Sequence, residues 1–397
     1  MLYRKPPKTP DELSILGFGC MRLAQKDGRI DEERATRQIR HSIDCGLNYI
    51  DTAWPYHGGE SEPFLGRALA GGYRERVKIA TKLPAWLVEN RADMDRFLDA
   101  QLRKLATSRI DYYLVHSLRG QAWDRMAALG VAGFLDRAKS DGRIGNAGFS
   151  FHGMREDFKR IVDAYPWEFC QIQYNYLDEE NQAGTEGLKY AASKGLGVIV
   201  MEPLRGGVLA ASPQPPAIDA LWREAAQRRT PAEWALRWVW NHPEVTVALS
   251  GMNDEAQVEE NLRIAADARP DSLTAAEVDL VGRVSRKYRE IMKVSCTGCG
   301  YCLPCPSGVD IPGSFDIFNA FHTFGKTQEA AFLYVVRLGS ILSGQPAYAS
   351  LCSRCMDCLE KCPQGLQIPD LLEQVAAQFE GEGLTEREAM ARRMFHG

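Results

Sequence analysis

From Leu13 to about Ala266, short apolar runs rich in β-branched and aromatic residues alternate with longer segments whose apolar residues recur at helical spacing. The runs are Ile15–Gly19, Tyr49–Asp51, Val77–Lys82, Tyr112–His116, Asn146–Ser150, Phe169–Gln173, Gly197–Glu202 and Val245–Ser250. Between them lie amphipathic segments such as Asp31–Cys45, Asp93–Ala106 and Glu186–Ser193, often closed by a glycine (Gly46, Gly142, Gly195). Strand and helix alternating eight times predicts a parallel sheet closed into a (β/α)8 barrel. The rival is an open doubly wound sheet, but no Gly-x-Gly-x-x-Gly follows the first strand.

Beyond the barrel, Thr274 opens a predicted helix over Ala275–Ile291. An aromatic-rich helical insert follows at roughly Ser314–Leu342, then a helix over Pro369–Phe379. The polar end, Glu380–Gly397, reads as loosely held. The expected division is 1–290 for the barrel and 291–397 for a small, mainly helical domain.

Composition narrows the class. With 45% hydrophobic and 25% charged residues, a chain of this length can bury a sizeable core. A net charge of −4 gives no electrostatic basis for binding nucleic acid or an anionic membrane. The start, Met1 to Pro7, lacks the apolar core of a signal peptide, and the best membrane candidate, Ala330 to Gly344, is short and carries Arg337. A soluble, cytoplasmic protein is expected.

Cysteine changes the picture most. Cys20, Cys45 and Cys170 are scattered and read as small hydrophobes, but the other eight of the 11 form two tight runs. The first is Cys296, Cys299, Cys302 and Cys305, followed by Pro306. The second is Cys352, Cys355, Cys358 and Cys362, followed by Pro363. Without a secretion signal, such runs point to metal rather than disulfides. Four thiolates with proline after the last match the bacterial two-cluster [4Fe-4S] pattern. Two structural zinc sites are the alternative, although zinc ribbons space their cysteine pairs more widely. The first run has two residues rather than three before Cys305, which leaves that ligand open.

Three strand ends carry ionisable groups. Asp51 ends one run and a proline-containing turn then presents Tyr56; Lys82 and His116 end the next two. In a parallel barrel these four gather at one face. A phenol is a poor acid unless a neighbouring cation favours its ionised form. Lys82 can supply that cation, Asp51 can hold the ammonium, and His116 can hydrogen-bond a substrate oxygen. His57 competes for any role given to a histidine. Together the four can protonate a carbonyl oxygen while a hydride reaches its carbon.

At these residues the sequence resembles the aldo/keto reductase family. Leu16-Gly17-Phe18-Gly19-Cys20-Met21, Asn48-Tyr49-Ile50-Asp51-Thr52-Ala53, Thr81-Lys82 and Val115-His116 stand in the order and spacing of its motifs, over roughly the first two-thirds of the chain. The resemblance implies a TIM barrel that binds a nicotinamide coenzyme without a Rossmann domain. It gives Tyr56 as acid/base, Lys82 to lower its pKa, Asp51 to pair with Lys82, and His116 to orient the carbonyl. It also implies that Ser150 and Gln171 hold the nicotinamide carboxamide, with Phe151 where an asparagine is common and Met201 where an aromatic ring is common. Leu204, Arg205, Gly206 and Gly207 resemble the pyrophosphate loop, and Ser250, Gln257, Glu260 and Asn261 the adenosine end. Gly251 and Gln257 replace basic residues that many members use for a 2′-phosphate. NADP(H) is nonetheless expected ahead of NAD(H).

The cysteine runs make the chain resemble the subgroup with a C-terminal ferredoxin-like domain. That resemblance implies one [4Fe-4S] cluster on Cys296, Cys299, Cys302 and Cys362, and another on Cys352, Cys355, Cys358 and Cys305. The expected function is reversible hydride transfer between NAD(P)H and a small carbonyl or alcohol, linked to one-electron transfer through the clusters. A hydride carries two electrons and a cluster takes one, so a flavin or a radical-stable substrate would have to split them. The chain shows no flavin motif. An external ferredoxin-like partner is expected. The alternative is a non-catalytic coenzyme or redox sensor with structural clusters.

Overall fold

The computed structural model describes residues 1–324, 327–341 and 345–396. They cluster into two compact units: Met1–Leu204 with Arg229–Val278, and Arg205–Arg228 with Asp279–Gly397. Relative to the single expected cut after residue 290, the second unit also takes in residues 205–228 and 279–290.

The first unit is an eight-stranded parallel barrel. Its strands are β1 (Leu16–Gly19), β2 (Tyr49–Asp51), β3 (Lys78–Leu83), β4 (Ile110–Leu118), β5 (Ile144–Phe151), β6 (Phe169–Gln173), β7 (Gly197–Met201) and β8 (Val245–Ser250). They pair in chain order, and β8 closes on β1 with Ser250 opposite Phe18. All eight predicted runs are therefore strands of one barrel. The largest difference is β4, which continues past His116 to Leu118 because both flanks keep their ladder partners although Ser117 breaks the apolar run.

Between strands run α1 (Glu32–Asp44), α2 (Ser61–Ala68), α3 (Arg91–Lys104), α4 (Gly120–Ala128), α5 (Val131–Ser140), α6 (Arg155–Asp163), α7 (Gly184–Ser193), α8 (Pro216–Trp222), α9 (Pro231–Trp240) and α10 (Glu255–Ile264). Their starts follow local chemistry. Asp31 accepts from the Arg34 amide at the head of α1, and Asn90 and Asp93 form a capping box on α3. Gly46, Gly142 and Gly195 all sit at positive φ past helix ends, as their spacing predicts.

Side chains fill the barrel. Leu13, Tyr49, Tyr112, Leu114, Phe169, Ile199, Val247 and Leu249 pack as one cluster, with edge-on contacts from Tyr49 to Tyr112 (5.4 Å) and from Tyr112 to Phe169 (5.0 Å). Gly17 makes this packing possible. A β-carbon there would lie 2.7 Å from Leu249 Cδ2 and 2.9 Å from Val247 Cγ1. One end is also tied by the N-terminal ribbon Tyr3–Arg4, which pairs with Leu13–Ser14 while the Arg4 guanidinium donates to the carbonyls of Trp240, His242 and Val245.

The second unit carries α11 (Ala275–Ile291) for most of its length, then α12 (Ile311–Phe324), α13 (Thr327–Leu338), α14 (Asp357–Lys361), α15 (Ile368–Phe379) and α16 (Leu384–His396). The expected insert is thus two helices; its residues 325, 326 and Leu342 lie outside the described residues. Phe315, Phe318, Tyr334, Leu372, Val375 and Phe379 pack with Cys358 and Cys362 into one core. The expectation of a loose C-terminus is overturned. Within 384–396, Ala391 is fully buried against Val335, Val336 and Ile341, and Leu384 packs beside them. Tyr348 also donates to Glu388 at 2.7 Å. So few apolar positions among many charges hide the amphipathic face from a reading of polarity alone. Among the described residues, no helix is long and apolar enough to cross a membrane.

Candidate active site and cluster domain

The site is built from the C-terminal ends of β2, β3, β4, β5 and β6. Asp51 closes β2 and Lys82 stands near the end of β3, on adjacent strands. Lys82 Nζ donates to Asp51 Oδ1 at 2.6 Å and to the Thr52 carbonyl at 2.8 Å. Both side chains are almost wholly buried, at 1% and 4% exposure. Gln171 Nε2 donates to the other Asp51 oxygen at 2.8 Å. Asp51 is therefore engaged at both oxygens and aims the ammonium.

The turn after β2 delivers Tyr56. Trp54 anchors it: its ring lies 5.0 Å from Phe97 and 3.7 Å beneath Lys104 Nζ, both on α3. Beyond Tyr56 the chain takes left-handed conformations at His57 (φ 52°) and Gly58 (φ 65°), which swing it into α2. This leaves the Tyr56 ring centroid 5.1 Å from Lys82 Nζ and 6.3 Å from the His116 ring. The four residues expected to act together do lie together.

His116 is buried, and its Nδ1 has no hydrogen-bond partner among the described residues. Burial, with the neighbouring Lys82 charge adding to it, holds its pKa well below the ordinary histidine value. A neutral imidazole results. His57 is not a competitor: its Nε2 accepts from the Leu23 amide at 3.2 Å and its Nδ1 lies 2.9 Å from the Gln25 side chain.

Two neighbours escape a sequence reading. Trp86 is half-exposed, with its ring 5.1 Å from His116. His152, just past β5, is buried with Nδ1 3.1 Å from Gln182, and burial lowers its pKa to about 4. An aromatic four residues past Lys82 was the only available signal for the first. Nothing in the sequence marks the second.

These neutral histidines give a pH prediction. Below about pH 6.5 the unfolded chain protonates them and the folded chain does not, so stability falls as pH falls, by about 1.4 kcal/mol per unit for each. For His152 the loss runs down to about pH 4. Replacing His152 with Gln should make the loss between pH 7 and 5 about 2 kcal/mol smaller in denaturant titrations. An unchanged loss would contradict the neutral state.

Ser150 and Gln171 are register partners on β5 and β6, both buried. Ser150 Oγ accepts from the Ser117 amide at 2.7 Å, so its hydroxyl proton can be donated. Gln171 uses its NH₂ on Asp51 and keeps its carbonyl oxygen. Phe151 is buried against Phe158 at 5.0 Å, and Met201 packs at the edge of the barrel core. Leu204 follows β7, and Arg205, Gly206 and Gly207 each have positive φ. Ser250 Oγ accepts from Asn261 at 2.8 Å, Gln257 accepts from the Asn253 amide, and Glu260 accepts from Thr230 at 2.6 Å.

The family model described as the aldo/keto reductase family matches residues 15–279. The chain belongs to the aldo/keto reductase family. L-galactose dehydrogenase of Arabidopsis thaliana is 25% identical over 293 residues, which is 68% of this chain and 91% of the relative. The aldo-keto reductase yakc [NADP(+)] of Schizosaccharomyces pombe is 26% identical over 210 residues, 50% of this chain and 60% of the relative. Among solved structures, the holo form of aldo-keto reductase AKR11C1 from Bacillus halodurans superposes with a TM-score of 0.60 at 27% identity, covering 72% of this chain and 96% of that one. The thermostable aldo-keto reductase Tm1743 gives the same TM-score at 22% identity, over 72% and 100% of the two chains, and supports the fold.

In this aldo/keto reductase a second model, a 4Fe-4S dicluster domain, matches residues 295–367. Burial raises the Cys296 and Cys302 pKa values to about 11 and about 12, and the neighbouring Cys299 and Cys362 thiols add to the rise. Cys358 is likewise raised by burial, with Cys352, Cys355 and Cys305 adding to it, and these four line one pocket together with Cys302. Among the described residues, no three His, Cys, Asp or Glu side chains converge on one ion-sized point. In a cubane each thiolate binds a separate iron, so such convergence is not required.

Proposed function

We propose that this oxidoreductase transfers hydride reversibly between a nicotinamide coenzyme, with NADP(H) preferred, and a small carbonyl or alcohol, on a barrel linked to two [4Fe-4S] clusters. The observation that carries the reading is the buried Lys82–Asp51 pair set beneath Tyr56 and beside a neutral His116. The functional halves are taken as residues 1–290 and 291–397.

The residues fit both groups. Ser150 offers a proton and Gln171 a carbonyl oxygen side by side, the complement of a carboxamide. On the family resemblance, Leu204, Arg205, Gly206 and Gly207 serve the pyrophosphate, Ser250, Gln257, Glu260 and Asn261 the adenosine end, and Met201 the nicotinamide face. When bound, the reduced coenzyme supplies a hydride to the carbonyl carbon. Tyr56 Oη gives its proton to the carbonyl oxygen, and Lys82 steadies the phenolate left behind. Asp51 holds the Lys82 side chain in place. The neutral His116 orients the same oxygen with its single N–H, and Trp86 gives the apolar part of the substrate a wall.

On the family resemblance, the thiols of Cys296, Cys299, Cys302 and Cys362 would hold one cluster, and those of Cys305, Cys352, Cys355 and Cys358 the other. The clusters supply one-electron storage, matched to an external ferredoxin-like partner. Iron and sulfide analysis of anaerobically prepared protein should give about eight of each per chain. Four, or zinc instead, would mean that the shortened first run holds no cluster. The overall reading is tested by mixing fully loaded protein with NADPH or NADH and a panel of aldehydes, ketones and quinones. Coenzyme oxidation is expected. Tight coenzyme binding with no oxidation across the panel would instead indicate a sensor.

A further inference from the structure

Glu202 stands directly after β7 with a φ of 56°, a left-handed backbone that a β-carbon disfavours. The Asn175 side chain fixes it there, donating to the Glu202 carbonyl at 3.0 Å while also bonding Asp178 at 2.8 Å. The Glu202 side chain turns inward and is 13% exposed. Arg22, in the turn after β1, brings Nη1 to 3.1 Å from Oε1. Arg22 also passes over the end of β8, where Gly251 leaves it room: a β-carbon at 251 would lie 3.2 Å from Arg22 Cβ. The other carboxylate oxygen, Oε2, is buried, and no donor among the described residues reaches it.

A carboxylate accepts at both oxygens, and a buried acceptor left bare is destabilising. Here that cost falls on a residue whose backbone is already strained, and it falls at the C-terminal end of a barrel strand. Such costs persist where a ligand relieves them. The chemistry of the missing donor follows from charge. Arg22 already balances Glu202, so an added cation would leave the pair with excess charge. An anion would meet the bare oxygen with repulsion and has no proton to give. A hydroxyl supplies a donor and no charge.

We propose that Glu202 Oε2 is a ligand contact that accepts a hydrogen bond from a hydroxyl of a bound polyol group, either the ribose of the coenzyme or a hydroxylated carbonyl substrate. The contact rests on the hydride-transfer reading above. Arg22 is its positioning residue, holding Oε1 so that Oε2 faces the ligand.

The test compares wild type with E202Q, which keeps the shape and removes the charge. Coenzyme affinity is read by fluorescence titration with NADPH and NADH. Substrate selectivity is read as the ratio of kcat/KM for glyceraldehyde to that for propanal at saturating coenzyme. A charge-assisted hydrogen bond lost in this way corresponds to roughly a tenfold effect or more. Coenzyme Kd raised tenfold with the ratio unchanged supports the contact and assigns the hydroxyl to the ribose. An unchanged Kd with the ratio lowered tenfold supports it and assigns the hydroxyl to the substrate. Folded E202Q that matches wild type in both overturns the inference and leaves the hydride-transfer reading standing. Wild type that binds neither coenzyme overturns both. If E202Q does not fold, E202D, which keeps the charge and withdraws it by one methylene, is read against the same outcomes.

Discussion

Tyr56→Phe should lower carbonyl reduction by about 10²- to 10⁴-fold while NADPH binds as tightly as before. The loss is confined to one atom. The phenyl ring keeps its place between Lys82, 5.1 Å from the ring centroid, and His116, 6.3 Å away. The turn that carries it is fixed by Trp54 against Phe97 and Lys104, none of which is touched. What disappears is the acidic proton. Binding and chemistry should therefore separate: coenzyme fluorescence titrates normally, and single-turnover reduction slows by orders of magnitude. Full activity in the Phe variant would remove Tyr56 from the mechanism.

Lys82→Met should cost more, because it damages structure and chemistry together. Removing the ammonium strands Asp51, 4% exposed, with Gln171 still bound to its far oxygen. Breaking a buried pair from one side costs about 3–5 kcal/mol. The melting temperature should fall accordingly, and reduction should fall at least as far as in Tyr56→Phe. The double variant Lys82→Met with Asp51→Asn separates the two effects. It buries no lone charge, so stability should largely return while activity stays absent. Recovery of activity in the double variant would show that Lys82 serves the fold and not the phenol.

How much of this was legible beforehand depended on how locally each feature is written. A strand end that carries a charge is local: Asp51, Lys82 and His116 each stop an apolar run, and eight such runs imply their convergence. Ser150 and Gln171 lie in adjacent runs, and their register pairing follows from the strand order. What was not legible is made by neighbours far apart in the chain. His57 is taken out of contention by Leu23 and Gln25, more than thirty positions earlier. Arg22 meets Glu202 over 180 positions, and only the closed barrel brings them together. The C-terminal helix was missed for a different reason. Its buried face rests on Leu384 and Ala391, and an alanine among arginines and glutamates carries almost no signal until α13 is seen against it.

The proposed crossed ligation of the two clusters also bears on how the protein is made. In it Cys362 joins Cys296, Cys299 and Cys302, and Cys305 joins Cys352, Cys355 and Cys358. A ribosome delivers these in order, so neither cluster can be completed as its own run emerges. The earlier set waits for residue 362, and the later one needs a thiol that came out long before it. By then all eight barrel strands, which end at Ser250, are clear of the tunnel and free to fold. On that ligation, iron delivery would be a late event, completed after the barrel strands have emerged. Cells starved of iron should accumulate folded barrels with an unfinished C-terminal end rather than misfolded chains.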